Sequence, residues 1–306
     1  MTMRLTQVLT VRSALRAFIG GAALLAVASA TGCMSSHGDW SSDVERKTID
    51  LDIAHRDHSG IDVNTENGAV TIKADSSVDS VTVNAEVRAK TVERLDATQI
   101  VAERRADGVL ALRVEWPDGK RQSNEGVSFE ITVPDAHGVK VDTGNGRVSL
   151  AGLSGDAKVE TSNGRVSIED HRGPVIVSTS NGRIEIEDID GTADLRTSNG
   201  RIVAMGVNGP VTAHTSNGAI EIELESGAQG AFSARTSNGS ITFRADESMQ
   251  ASLDLSSSNG KIVVSRAGET MEFKKSARVE LNGGGPTCTL TTSNGRITVE
   301  IENDED

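Results

Sequence analysis

The sequence predicts an all-β fold, a parallel β-solenoid (β-helix) of two-strand coils of about 18 residues with an irregular N-terminal cap. Three observations carry this. Nine copies of one template open at Val63, Val141, Val159, Val177, Leu195, Ala213, Ala234, Leu255 and Leu290; five run at 18-residue intervals, then the interval lengthens to 21 residues twice and 35 once. A unit that short cannot bury its own apolar face, so it must stack on its neighbours. Within each unit apolar residues alternate and the phase flips twice, the mark of strands joined by corners rather than of a helix. With no tyrosine, five phenylalanines and two tryptophans in 306 residues, the interior must be a thin layer of Val, Ile, Leu, Ala and Thr, which pack on pleated surfaces.

The unit opening at Val159 shows the logic. Val159 and Thr161 face one side, Ser162-Asn163-Gly164 turns, and Val166 and Ile168 resume on that side; Glu169 to Gly173 forms the second corner before Val175 and Val177. Asn-Gly suits a turn because both residues tolerate positive φ. The same pair between alternating apolar residues is also a hairpin signal, which would set Thr161 opposite Val166 and Val159 opposite Ile168. A meander of hairpins needs only the turn residues to recur, whereas here the preceding Thr-Ser and the following Arg recur as well. Stacked coils place equivalent residues about 4.8 Å apart and let like side chains bond in ladders, so parallel stacking is the favoured reading. Asn67, Asn145, Asn163, Asn181, Asn199, Asn217, Asn238, Asn259 and Asn294 are assigned the structural role of closing these corners.

The chain divides in order. Residues 1–32 read as a lipoprotein-type signal peptide: Arg4, Arg12 and Arg16 lead an apolar stretch from Ala17 to Ala30 that is short for a membrane-spanning helix. Thr31-Gly32 before Cys33 is similar to a lipobox, which would make Cys33 a lipidated anchor in the membrane of a bacterial cell envelope. Ala28-Ser29-Ala30 also reads as an ordinary cleavage site, which would leave a secreted or periplasmic soluble protein. Residues 33–56 are polar and aperiodic, as in a tether. Residues 57–140 form the cap and irregular first coils: a template copy at Val63–Ile72, a strand over Val81–Val87, a short helix over Thr91–Ala97, a hairpin of Ile100–Arg105 with Val109–Glu115, and a strand over Val127–Val133. Such a cap covers the open edge of a stack. Residues 141–301 are the regular repeats and 302–306 an acidic tail.

Charge and cysteine content narrow the partners. Residues 1–32 carry three arginines and no acids, so the remainder holds 28 basic and 44 acidic residues, a formal charge of −16. That disfavours nucleic acid and other polyanions. Only Cys33 and Cys288 exist, which rules out a disulfide scaffold; Cys288 falls at an inward position, as a small buried side chain does.

The run Phe129-Glu-Ile-Thr-Val-Pro134, then Val139-Lys-Val-Asp-Thr143, then repeated Thr-Ser-Asn-Gly units, resembles the bacterial putative-adhesin family of β-strand-repeat domains of unknown function. The resemblance spans roughly Ile49 to Ile301. It implies an exported or envelope-associated β-solenoid and carries over no catalytic residue.

The candidate chemistry is sparse. Acidic columns at Glu169-Asp170, Glu185, Glu187-Asp188, Glu221 and Glu223 would need to converge in a cleft to do acid/base work or hold cations; pairing with the recurring Arg165, Arg183 and Arg201 is the more economical reading. His171 and His214 occupy different repeat positions, His37, His55, His58 and His137 lie outside the array, and no metal-ligand spacing emerges. Neither a catalytic residue, a metal nor a cofactor is therefore assigned. Arg147, Arg165, Arg183, Arg201 and Arg296 form a possible interaction column. The reading is a non-enzymatic, envelope-anchored solenoid presenting a repetitive surface to an unidentified envelope or surface protein or glycan. The alternatives are a polysaccharide-modifying enzyme on a β-helix and a purely scaffolding or sensory subunit.

Overall fold

The computed structural model describes residues 44–228 and 230–302; the signal segment, Cys33, His37 and residues 303–306 lie outside the described residues. The strands form ten stacked coils, numbered here by place along the axis. Coil 1 is Leu110–Glu115 with Gly126–Val133, coil 2 is Ile61–Asn67 with Val70–Ala74, and coil 3 is His137–Asn145 with Val148–Ala151. Coil 4 is Ser154–Thr161 with Val166–Arg172, coil 5 Val175–Thr179 with Ile184–Asp190, and coil 6 Ala193–Thr197 with Ile202–Val207. Coil 7 is Val211–His214 with Ile220–Leu224 and coil 8 Phe232–Asn238 with Ile241–Asp246. Coil 9 is Thr287–Asn294 with Ile297–Glu302, and coil 10 Ala251–Ser257 with Ile262–Arg266.

Neighbouring coils pair in parallel and in template register: Val159 lies between Val141 and Val177, and Ile168 between Leu150 and Ile186. The hairpin pairing does not occur, because the two strands flanking Ser162-Asn163-Gly164 bond to the coils on either side. The order along the axis is not the order of the chain. Coil 1 lies outside coil 2 although it follows it in sequence, and coil 9, the last segment, sits between coils 8 and 10.

Both ends are closed by antiparallel strands. At the N-terminal end Gln99–Arg104 pairs with Leu110–Glu115, Ser80–Ala89 with Gly126–Val133, and Glu45–Ala54 with Ser80–Ala89. At the other end Ser276–Leu281 covers Ala251–Ser257 and Glu269–Phe273 covers Ile262–Arg266. Antiparallel caps occupy hydrogen-bonding edges that would otherwise template association. The strand Glu45–Ala54 falls inside the segment 33–56 read as a tether. Its Ile49, Leu51 and Ile53 alternate inward and are buried, so that segment is structured from Glu45 onward. The short helix is Val92–Ala97, capped by the Thr91 hydroxyl.

The core is a set of aliphatic columns. Val141, Val159, Val177, Leu195, Ala213 and Ala234 form one, and Leu150, Ile168, Ile186, Ala204, Ile222 and Phe243 another, all buried. Where the first column narrows to Ala234, coil 8 supplies Phe232 and Phe243, whose rings lie 6.0 Å apart, so volume is conserved as close packing requires.

The Asn-Gly corners have a different cause from the one their composition suggests. Of the template glycines only Gly68 has positive φ, at 159°. Close approach is what demands glycine: a Cβ on Gly182 would stand 1.7 Å from the Gly164 carbonyl oxygen of the coil below. Left-handed backbone appears instead at the second corner, at Asp170 (φ 52°) and Asp188 (φ 54°), where neighbouring coils carry Gly152 and Gly206. There the second strand bends and gives coils 3 to 6 a short third side, whose buried column runs Leu153, His171, Ile189, Val207.

Candidate functional site

The corner asparagines form one continuous amide ladder. Each Nδ2 donates to the Oδ1 of the coil below, from Asn163 to Asn145 (2.8 Å), then Asn181 to Asn163, Asn199 to Asn181, Asn217 to Asn199, Asn238 to Asn217, Asn294 to Asn238 and Asn259 to Asn294, each of these at 2.9 Å. Asn67 departs from the series, its Nδ2 donating to the Glu125 carbonyl oxygen at 2.8 Å. Behind this row a buried hydroxyl ladder donates to the template-glycine carbonyls: Thr197 to Gly182 (3.1 Å), Thr215 to Gly200 (3.0 Å), Thr236 to Gly218 (2.9 Å) and Thr292 to Gly239 (2.9 Å). These amides and the hydroxyls of Thr197, Thr215, Thr236 and Thr292 bond from coil to coil, whereas the buried Thr161 and Thr179 hydroxyls of the same column have no partner.

The arginine column is partly neutralised. Arg165 and Arg183 both reach Glu185 (3.5 and 2.6 Å), and Arg201 and Arg244 both bond Glu221, with Arg244 also 2.8 Å from Glu300. Hydrogen bonding to Arg244 holds the Glu221 carboxyl below its ordinary range against the opposing effect of burial. Ala219 and Ser240 interrupt the column at coils 7 and 8. Arg147 and Arg296 make no ion pair with any described residue.

A concavity lies on the first-strand face, near the N-terminal end. A trough of about 660 Å³ is lined along the axis by Asn64, Asp142, Glu160 and Ser178, one outward column of coils 2 to 5, with Glu66 and Ser162 at its corner side. Its wall is Arg121, from the loop between the two strands of coil 1. The Arg121 guanidinium is fixed by Glu66 Oε2 (3.2 Å) and by the carbonyl oxygens of Gln122 (3.0 Å) and Glu125 (3.1 Å). Lys140 and Lys158 flank it, bonded to Asp142 (3.0 Å) and Glu160 (2.8 Å); the Asp142 hydrogen bond raises the Lys140 pKa. The trough floor therefore runs amide, carboxylate, carboxylate, hydroxyl along Asn64, Asp142, Glu160 and Ser178, with Arg121 as the cation in its lining. None of its residues except the repeat positions carried a sequence signal, and Arg121 comes from a loop outside the template.

Under the trough wall lies the buried Glu125, bonded by Arg94 (Nε to Oε1 2.6 Å, Nη2 to Oε2 2.9 Å) and by the Gln122 N–H (2.8 Å). Burial opposes ionisation, yet these donors outweigh it and keep the Glu125 pKa low. This pair ties the helix to the loop that carries Arg121.

The other candidate groups disperse. Glu169 accepts from the Ser167 hydroxyl at 3.0 Å rather than from an arginine. His55 packs against Asp135 (3.0 Å), while His58 meets His137 edge to face at 6.4 Å. Among the described residues no group of three or more His, Cys, Asp and Glu side chains is placed to hold a metal ion, and no helix is long and apolar enough to cross a membrane. Cys288 is buried, and burial raises its thiol pKa, so it is a packing residue rather than a nucleophile.

Solved structures resemble the chain at low identity. A putative adhesin from Bacteroides fragilis aligns at 17% identity over 83% of this chain and 96% of its own, with a TM-score of 0.46. A putative cell adhesion protein from Clostridium sporogenes aligns at 10% identity over 84% and 99%, TM-score 0.23, and a putative adhesin from Parabacteroides distasonis at 12% over 84% and 97%, TM-score 0.30. No curated protein matches. The Toastrack DUF4097 family model matches residues 28–300, and the chain belongs to that family.

Proposed function

We propose that this protein is a non-enzymatic, exported solenoid, anchored to the bacterial envelope through lipid on Cys33, that presents a repetitive surface for adhesion to an envelope or surface protein or glycan. The observation that carries the reading is the trough: a concave run of outward side chains from four successive coils, with an arginine hydrogen-bonded at its edge. Its hydroxyls, amide and carboxylates beside one arginine, and its lack of aromatic rings, suit a neutral, hydroxyl-rich chain recognised by hydrogen bonds rather than by ring stacking. The arginine column contributes less, since Glu185 and Glu221 already engage three of its members.

The test is a pull-down from native envelopes with wild type, an Arg121→Ala/Glu160→Lys variant, and a variant reversed at Arg165, Arg183 and Arg201. Loss of the captured glycan or protein in the trough variant alone is the expected result. Equal recovery by all three rejects both surfaces. Radiolabelled lipid incorporation lost in Cys33→Ala tests the anchor, and labelling that persists rejects it.

A further inference from the structure

The last coil of the chain is an insert. Residues 287–302 lie between coils 8 and 10, paired in parallel on both sides: Ser233 and Asp254 both neighbour Thr289, and Ala234 and Leu255 both neighbour Leu290. The second strand is held likewise, with Ile297 between Ile241 and Ile262. The asparagine ladder passes through it, from Asn238 to Asn294 to Asn259. Coil 10 precedes it in the chain and carries the same template, Leu255-Ser-Ser-Ser-Asn-Gly against Leu290-Thr-Thr-Ser-Asn-Gly. The slot is thus one coil wide, bounded by two faces of matching register.

The insert hangs on a single tether, Asn282-Gly-Gly-Gly-Pro286, which crosses the end of coil 10 to carry the chain from Ser276–Leu281 on one side of Ala251–Ser257 to Thr287–Asn294 on the other. Gly283 (φ 88°) and Gly284 (φ 83°) hold left-handed backbone, and no atom approaches where a Gly283 side chain would stand. The tether is pinned by Asn282 Nδ2, which donates to the Glu247 and Met249 carbonyl oxygens, and by the Ser252 N–H, which donates to the Pro286 carbonyl; an excursion releases these few bonds, and the glycines between them supply the backbone freedom it needs.

We propose that the slot between coils 8 and 10 takes residues 287–302 from a second copy of this chain, giving a reciprocally exchanged dimer. Every parallel pair and both ladder bonds of coil 9 are kept on exchange, so the two arrangements differ in connectivity alone. Self-insertion wins in dilute solution because a short flexible tether gives an effective concentration of about millimolar. Exchange grows as chain concentration approaches that value or as the tether shortens. The proposal is independent of what the trough binds.

Two copies of different length, both carrying Cys33→Ser, are refolded together and then oxidised, one with Ser233→Cys and the other with Thr289→Cys. These positions face outward and are neighbours across coils 8 and 9, whereas neither copy holds both. Exchange places the two thiols side by side, giving a mixed disulfide mapped to positions 233 and 289. Its ratio to monomer rises about tenfold per tenfold increase in chain concentration while exchange is rare, by mass action, and rises again when Gly283 to Gly285 are deleted. A mixed disulfide absent at every concentration with the natural tether, or present at the level given by two Ser233→Cys copies, overturns the proposal whether or not the shortened chain folds.

Discussion

Gly164 sits directly on Gly146: a Cβ on the former would stand 1.8 Å from the carbonyl oxygen of the latter, and the contact repeats from coil to coil. Coil spacing leaves no room to relieve it without breaking the strand pairing on either side. Gly182→Ala is therefore expected to destabilise by about 4 kcal/mol or more, lowering Tm by roughly 10 °C. Gly227→Ala, at a positive φ of 77° with no atom near the added Cβ, should cost only about 1–2 kcal/mol. Equal losses by calorimetry would mean that stacking does not set the requirement.

The amide ladder is polarised, so its members are not equivalent. Asn181 donates to Asn163 and accepts from Asn199, whereas Asn259 donates to Asn294 and accepts from no other asparagine. At about 0.5–1.5 kcal/mol net per bond, Asn181→Ala should cost about twice as much as Asn259→Ala in urea unfolding. A larger loss at Asn259 would contradict the ladder.

The cap depends on one buried ion pair. Removing the Glu125 carboxylate leaves the Gln122 N–H without its acceptor and Arg94 with the Lys120 carbonyl alone, and breaking a buried pair costs about 3–5 kcal/mol. Glu125→Ala should lower the denaturation midpoint by that equivalent, while the backbone carbonyl of residue 125 that accepts from Arg121 is retained. Unchanged stability would place the cap's strength elsewhere.

His171 fills a column position otherwise held by Leu153, Ile189 and Val207, with Nε2 2.8 Å from the Gly155 carbonyl and Nδ1 unpartnered. Burial depresses its pKa below 6.5, against smaller opposing effects of the Gly155 carbonyl and Asp156. The unfolded chain then binds the proton more readily, so the contribution is intact above about pH 6.5 and is lost as pH falls from there through the folded value. His171→Leu should raise stability at pH 5 by about 1–2 kcal/mol and flatten the acid side of the Tm profile. A steeper acid loss in the variant would contradict this.

Much of the fold is legible in the sequence because stacking imposes its own period on the side chains that face the axis. The second corner, the inward Val and Ile positions and the capping hairpin Gln99–Arg104 with Leu110–Glu115 follow from alternation alone. The reversed order of coils 9 and 10 does not, since both carry the same template and either could lie on coil 8; the 35-residue interval signals an insertion without saying where it goes. Strand Glu45–Ala54 is hidden by the charged residues on its outer face. The trough is legible only by half: Asp142 and Glu160 lie in the repeat, but Arg121 and its supporting Glu125 come from a loop without periodicity, placed by tertiary contacts.

Distances between paired spin labels test the stacking most directly, with Arg147→Cys as the fixed site and Arg201→Cys, Arg296→Cys or Lys261→Cys as the second in a Cys33→Ser chain. These positions belong to coils 3, 6, 9 and 10, so at about 4.8 Å per coil the separations should be about 14, 29 and 34 Å, with position 296 nearer than position 261 despite lying later in the chain. Separations that fail to grow with coil number, or that follow chain order, would contradict the account.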